Sequence, residues 1–299
     1  MKWRLVALVA ALLVAGCGEQ QEETYQPTFS ARVPYAPEEY IVGIYPLHNP
    51  KRLIELYGPI VDSLNAGIPK VHFRLEASRS YEDFEKKLFS GHFDFAMSNP
   101  YQAVRSIKHG YHVFAKMGND ELYRGILLVR KDSGIRKVAD VKGKKISYSA
   151  PTALAGTMMP QRYLQTHGID VKRDVDNVYV GSPESSIMNV LLGHVSVGAT
   201  WIVPWKLFVR ENPEMAGQLE VRWQTKPLPN NAWVVRDDIP AMRVQEVAKV
   251  LVGLGKTAGG RGMVENLGIF RFEFASNETY GPVQQYLKVF SETVRHIEY

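Results

Sequence analysis

Cysteine is all but missing: Cys17 is the only one in 299 residues. A disulfide framework and a thiolate metal site are therefore excluded from the rest of the chain. Metal spacing among the histidines is missing too, since the eight of them include no His-x-x-x-His pair. A Gly-x-Ser-x-Gly elbow is absent, and no acid/base pair assembles on sequence grounds. Gly253-Leu-Gly255-Lys256-Thr257 imitates the tail of a phosphate-binding loop, but the glycine required five residues before Gly255 is Val250. That stretch follows a predicted helix and reads as its C-terminal cap. No dense basic stripe occurs. Without Lys2 and Arg4, 34 basic residues stand against 31 acidic ones, a weak excess that gives nucleic-acid binding little support. These absences argue against an enzyme and imply neither cofactor nor metal.

Long hydrophobic runs are scarce. The one at Leu5–Val14 falls short of the roughly 20 apolar residues that span a membrane. Preceded by Lys2 and Arg4 and followed by Leu13-Val14-Ala15-Gly16-Cys17, it reads as a signal peptide over residues 1–17, with Cys17 in a lipobox. Lipidation of Cys17 would anchor the protein to a membrane in the periplasm or cell envelope. Residues 18–37 are rich in Glu, Gln, Thr and Pro without apolar periodicity, and read as a disordered tether.

From residue 38 the chain alternates strand and helix. Tyr40–Tyr45 reads as a strand, and Leu53, Leu56, Tyr57, Ile60, Val61 and Leu64 recur at helical spacing. Val71–Leu75 is a second strand, and Ser80 with Asp83 opens a helix running to Phe89. The stretch Phe93-Asp-Phe-Ala-Met-Ser-Asn-Pro-Tyr101 then predicts a strand over 93–97, a polar turn, and a helix over 102–108. Such β-α-β units imply a parallel sheet with crossover helices. The pattern restarts after Tyr123–Arg130, with strands near 146–148, 178–180, 195–199 and 219–223 and helices between them. Strand 231–235 and closing helices over 244–255 and 281–296 return the chain. The expected fold is α/β in two lobes, 38–123 with 232–299 and 124–231, joined by two crossings.

Ligands of open α/β sheets bind beyond the carboxyl ends of the strands. Tyr45, Ser98, Asn99, Tyr101 and Tyr123 fall there or at the first crossing in lobe one. Ser149, Thr152, Thr157, Glu184, Ser185, Thr200 and Trp201 fall at the matching places in lobe two. Each singly reads as a cap or turn residue; collectively they would line an interlobe cleft with polar ends and aromatic walls. His48, His92, His109, His112, His167 and His194 lie in or beside loops and read as solvated surface, while His72, within a strand, reads as a structural histidine.

With these residues placed, the chain resembles the periplasmic substrate-binding proteins of phosphate/phosphite/phosphonate importers, from about Glu39 to Ser291. The anchors are Phe93-Asp-Phe-Ala with its polar turn, Tyr123-Arg-Gly-Ile-Leu-Leu-Val-Arg-Lys-Asp-Ser133, Val138-Ala-Asp-Val-Lys-Gly-Lys-Lys145, and Leu267-Gly-Ile-Phe-Arg-Phe272 with Tyr280. The resemblance implies a type II two-lobed fold that closes on its ligand, a monomer, and delivery of a small solute to a membrane permease. It also implies a Ser-Thr-Ser grip before a glycine, but Ala153, Leu154 and Ala155 precede Gly156 here. Pro183 stands where a histidine is usual, beside Glu184, and Ser196 where an aspartate is usual. The expected ligand is therefore not a standard phosphonate, but another oxyanion or a small polar or cationic compound. Trp201, Trp205, Tyr45 or Tyr101 would stack against a cation, and Glu184 would be its counter-charge. The alternative role is a sensory lipoprotein that reports ligand to a membrane signalling partner; an enzyme on the same fold has the least support.

Overall fold

The computed structural model of the protein describes residues 38–299; the signal peptide, lipobox and tether expected over 1–37 lie outside the described residues. Strand β1 (Glu38–Ile44) leads to helix α1 (Pro50–Gly67), whose Asn49 cap accepts the Arg52 N–H and whose buried stripe is the Leu53–Leu64 set read from spacing. Strand β2 (Val71–Ala77) and helix α2 (Tyr81–Phe89), capped by Ser80, follow. Then come β3 (Phe95–Ser98), α3 (Pro100–Ile107) and β4 (Tyr111–Met117).

The second half of the pattern is β5 (Gly125–Arg130), β6 (Lys145–Tyr148), a π-helical turn (Leu154–Met158) running into α4 (Met159–Thr166), and β7 (Asp176–Tyr179). It continues with α5 (Pro183–Leu191), β8 (Val197–Trp201), α6 (Ile202–Glu211), α7 (Pro213–Ala216) and β9 (Leu219–Gln224). The return comprises β10 (Ala232–Arg236), α8 (Ala241–Leu254), α9 (Ala258–Asn266), β11 (Phe272–Phe274) and α10 (Gly281–Thr293).

Two mixed sheets result, with strand orders β11-β4-β10-β3-β1-β2 and β7-β6-β8-β5-β9. The crossover units β1–β3 and β6–β8 are parallel, as the alternation predicts. Strands β5 and β10, each entered directly after the chain changes sheet, run antiparallel to their neighbours. The two connecting segments lie side by side: Gly125 N–H donates to Thr225 Oγ1 at 3.0 Å, and Thr225 N–H returns to Gly125 O at 2.9 Å. Helices flank both sheets. One hydrophobic cluster runs through both bodies, and a smaller one, around Ile126, Leu128, Ile187 and Phe208, lies beneath the second sheet.

Several boundaries differ from the sequence reading for identifiable reasons. The third strand begins at Phe95 because the Asp94 carboxylate takes the Ile41 N–H at 2.7 Å and pairs with Arg236 at 2.9 Å. Helix α3 begins at Pro100 because Asn99 and Gln102 form a reciprocal capping box around it. Helix α9 was not anticipated: three glycines in its first five residues weaken propensity, and the Thr257 cap with tertiary packing restores it. His72 is corrected as well. It sits on edge strand β2, where Val71 and Phe73 turn inward, and it faces solvent.

Candidate functional site

The carboxyl ends of β1, β3, β6 and β8 converge on a small cavity. Tyr45, Tyr81, Asn99, Tyr123, Ser149, Ala153, Leu154, Ala155, Gly156, Pro183 and Trp201 line it, and its volume is about 10 Å³. That is the space of about one water molecule, so the two bodies are closed around it.

Local chemistry explains the placement. Tyr45 leaves β1 and sets its ring edge-on to Tyr81 at 5.8 Å. Asn99 caps α3, its Oδ1 accepting the N–H groups of Tyr101 and Gln102, while Nδ2 donates across the cleft to Thr152 O at 3.3 Å. Tyr123, on the segment leading into β5, packs on Trp201 with ring centroids 5.3 Å apart. The π-helical turn is entered through Ala153 at its cap position, whose side chain makes no cap, so its first N–H groups depend on partners outside the helix.

Five of the sequence candidates line this cavity: Tyr45, Asn99, Tyr123, Ser149 and Trp201. Ser98 and Thr200 lie just behind it, fully buried, with hydroxyls that meet no partner. Thr152 contributes its carbonyl to the Asn99 bond. Thr157 is turned into its own turn, donating to Ala150 O at 2.7 Å. Tyr101 points away, its ring beneath the Arg105 guanidinium at 5.8 Å. Trp205 stacks on Phe208 outside the cavity. Ser185 donates its N–H to Ser182 in the cap of α5.

Glu184 is engaged in a way the sequence did not show. Its Oε1 is bonded to His48 Nδ1, a ring 3% exposed on the loop after β1, while its Oε2 has no partner. His48 is thus an interior residue of the cleft rim, not solvated surface. Arg52 with Glu211, Tyr286 with Met158 O and Arg295 with Gln161 add further bonds between the two bodies.

Tyr81 is the lining side chain that sequence reasoning missed. As the first residue of α2, after β2, it occupies the same kind of strand-to-helix junction as Ser98–Tyr101, and that rule applied evenly would have selected it. Burial pushes the hydroxyls of Tyr45, Tyr81 and Tyr123 well above the usual tyrosine value, so they remain protonated donors. Burial likewise raises the Glu85 carboxyl, which accepts from Gln102 Nε2 beside the rim. Among the described residues, no Lys, Arg, Asp, Glu or His lines the cavity. Among the described residues no cluster could hold a metal ion. Such a site offers neutral hydrogen-bond donors on aromatic walls; it holds neither a base nor a nucleophile paired with one.

Two α/β bodies that meet at a cavity at their strand ends define the two-lobed periplasmic-binding class of fold. The chain belongs to the family described as "ABC transporter, phosphonate, periplasmic substrate-binding protein", whose model matches residues 42–280. It is 23% identical over 135 residues to the probable ABC transporter phosphite binding protein PhnD1 of Prochlorococcus marinus (strain MIT 9301), covering 42% of this chain and 46% of that protein. It is 22% identical over 174 residues to the phosphonates-binding periplasmic protein of Escherichia coli (strain K12), covering 57% and 51%. The matched part thus spans about half the length of these curated relatives. Among solved structures, PhnD1 from Prochlorococcus marinus in complex with methylphosphonate superposes with a TM-score of 0.79 at 18% identity, covering 86% of this chain and 99% of that one. The binding protein component of an ABC phosphonate transporter from Pseudomonas aeruginosa gives 0.77 at 18%, covering 86% and 88%. These likenesses establish the fold.

Proposed function

We propose that the protein is a lipid-anchored solute-binding component that captures a small polar solute between lobes 38–123 with 232–299 and 124–231, and presents it to an ABC permease. The cavity at the strand ends, shared by both lobes and lined by neutral donors, carries this reading. The family's description favours delivery to a permease over reporting to a signalling partner.

The solute differs from a standard phosphonate. Ala153, Leu154 and Ala155 present apolar side chains to the cavity and cannot donate to a phosphonate oxygen. A hydrogen bond to a charged group contributes about 1.5–3 kcal/mol, so losing two of the weaker ones costs about a hundredfold in affinity. Three tyrosine hydroxyls, Ser149 and Asn99 on aromatic walls, with no cation among them, suit instead a small polar solute that carries less negative charge than a phosphonate. Calorimetry of the form lacking residues 1–17 is expected to show weak binding of methylphosphonate and phosphite; sub-micromolar binding of either would overturn this assignment. Membrane attachment rests on Cys17. Cys17→Ser is expected to move the protein into the soluble fraction, and continued pelleting with membranes after a high-salt wash would refute lipidation there.

A further inference from the structure

A larger cavity lies away from the strand ends, where α4 of the second body, the returning segment Gln224–Leu228 and α10 of the first body meet. Its volume is about 580 Å³, within the range of small-ligand sites. Its lining is chemically one-sided. Arg162, Lys226 and His167 supply basic groups, and among the described residues that line it none is Asp or Glu. Met159, Leu228 and the rings of Tyr163 and Tyr286 supply the apolar surface.

Arg162 carries the strongest signal. Its guanidinium lies over the Tyr286 ring at 5.0 Å, and its Nε is buried without a hydrogen-bond partner. His167 stacks on Tyr163 with centroids 4.0 Å apart, extending a flat aromatic wall beside the cations. A guanidinium packed over an aromatic ring is suited to a carboxylate, which it can engage through two parallel bonds.

We propose that this cavity is a second ligand site, taking a small amphiphilic anion: a flat apolar body bearing one carboxylate. The carboxylate meets Arg162 and Lys226, and the body lies on Met159, Leu228 and the tyrosine rings. None of the residues of the strand-end cavity takes part, so the proposal stands or falls independently of the solute captured there.

The test uses the full chain in phosphatidylcholine nanodiscs, titrated with naphthalene-2-carboxylate followed by its fluorescence, with empty nanodiscs subtracted. Saturable binding is expected. Naphthalene-2-carboxamide, of the same shape without charge, is expected to bind at least about tenfold more weakly, as loss of a charge-assisted bond requires. Arg162→Gln is expected to lose a similar factor, while Tyr123→Phe, altered only in the other cavity, keeps the parent affinity. Lys226→Gln, on an exposed position, is expected to weaken binding and decides the matter if Arg162→Gln does not fold. Equal binding of acid and amide, parent affinity in the folded Arg162→Gln or Lys226→Gln variants, or no saturable binding of the acid would each overturn the proposal.

Discussion

Tyr123→Ala is expected to destabilise the protein by about 3–5 kcal/mol, the cost of emptying the site of a large buried aromatic ring. Tyr123 is 1% exposed, its ring rests on Trp201, and its hydroxyl lies beside the Ala155 backbone. The cavity left behind cannot collapse easily, because its walls are strand β8, the connecting segments and the π-helical turn. Urea unfolding followed by circular dichroism measures the loss. Tyr123→Phe separates the ring from the hydroxyl. It keeps the packing, is expected to cost only about 1 kcal/mol of stability, and should still weaken capture of the solute found by a thermal-shift screen. Parent affinity in Tyr123→Phe would place the capture site elsewhere.

Gly125→Ala is expected to cost about 1–3 kcal/mol through overpacking, and to disturb capture at the same time. A Cβ built on Gly125 would lie 2.6 Å from Ala155 O and 2.7 Å from the Pro160 ring. Neither neighbour is the end of a flexible side chain, so the π-helical turn itself must move, and with it Leu154, Ala155 and Gly156, which line the cavity. For a chain of this size each kcal/mol shifts the melting midpoint by roughly 2–4 °C. Calorimetric melting therefore reads the effect directly. Gly253→Ala is the control: in helix α8 with nothing within 4 Å of the added methyl, it is expected to be neutral or stabilising by about 0.5–1 kcal/mol. Equal midpoints for the parent and Gly125→Ala would show that the turn yields without strain.

Much of the architecture was legible because its signals are local. The six-residue stripe of α1, the Ser80 cap of α2 and the alternation that restarts after Tyr123 act over a few residues, and each appears where its spacing places it. The polar turn after Phe93–Met97 was likewise readable as a strand-to-helix junction, and Asn99 is its cap. The family resemblance rested on the order of such segments, and the family match covers them.

Side-chain destination was not local. Tyr101 and Asn99 sit two residues apart in one turn, yet Asn99 faces the cavity and Tyr101 is drawn away beneath Arg105. Thr157 could have donated to a ligand but satisfies Ala150 O. His48 and Glu184 are 136 positions apart, and no periodicity links them. A surface default for His48 failed because its burial depends on the second body closing over it. Sequence by itself therefore determined the strand–turn–helix units, their junctions and the apolar run Ala153-Leu154-Ala155 before Gly156. The tertiary structure alone decided which side chains meet at the cavity, that its lining is uncharged, and that His48 and Glu184 pair at the rim. The reason is physical. Caps and hydrophobic periods are satisfied within a turn or a strand, whereas a cleft is assembled from chain ends that only the twist of two sheets and their closure bring together.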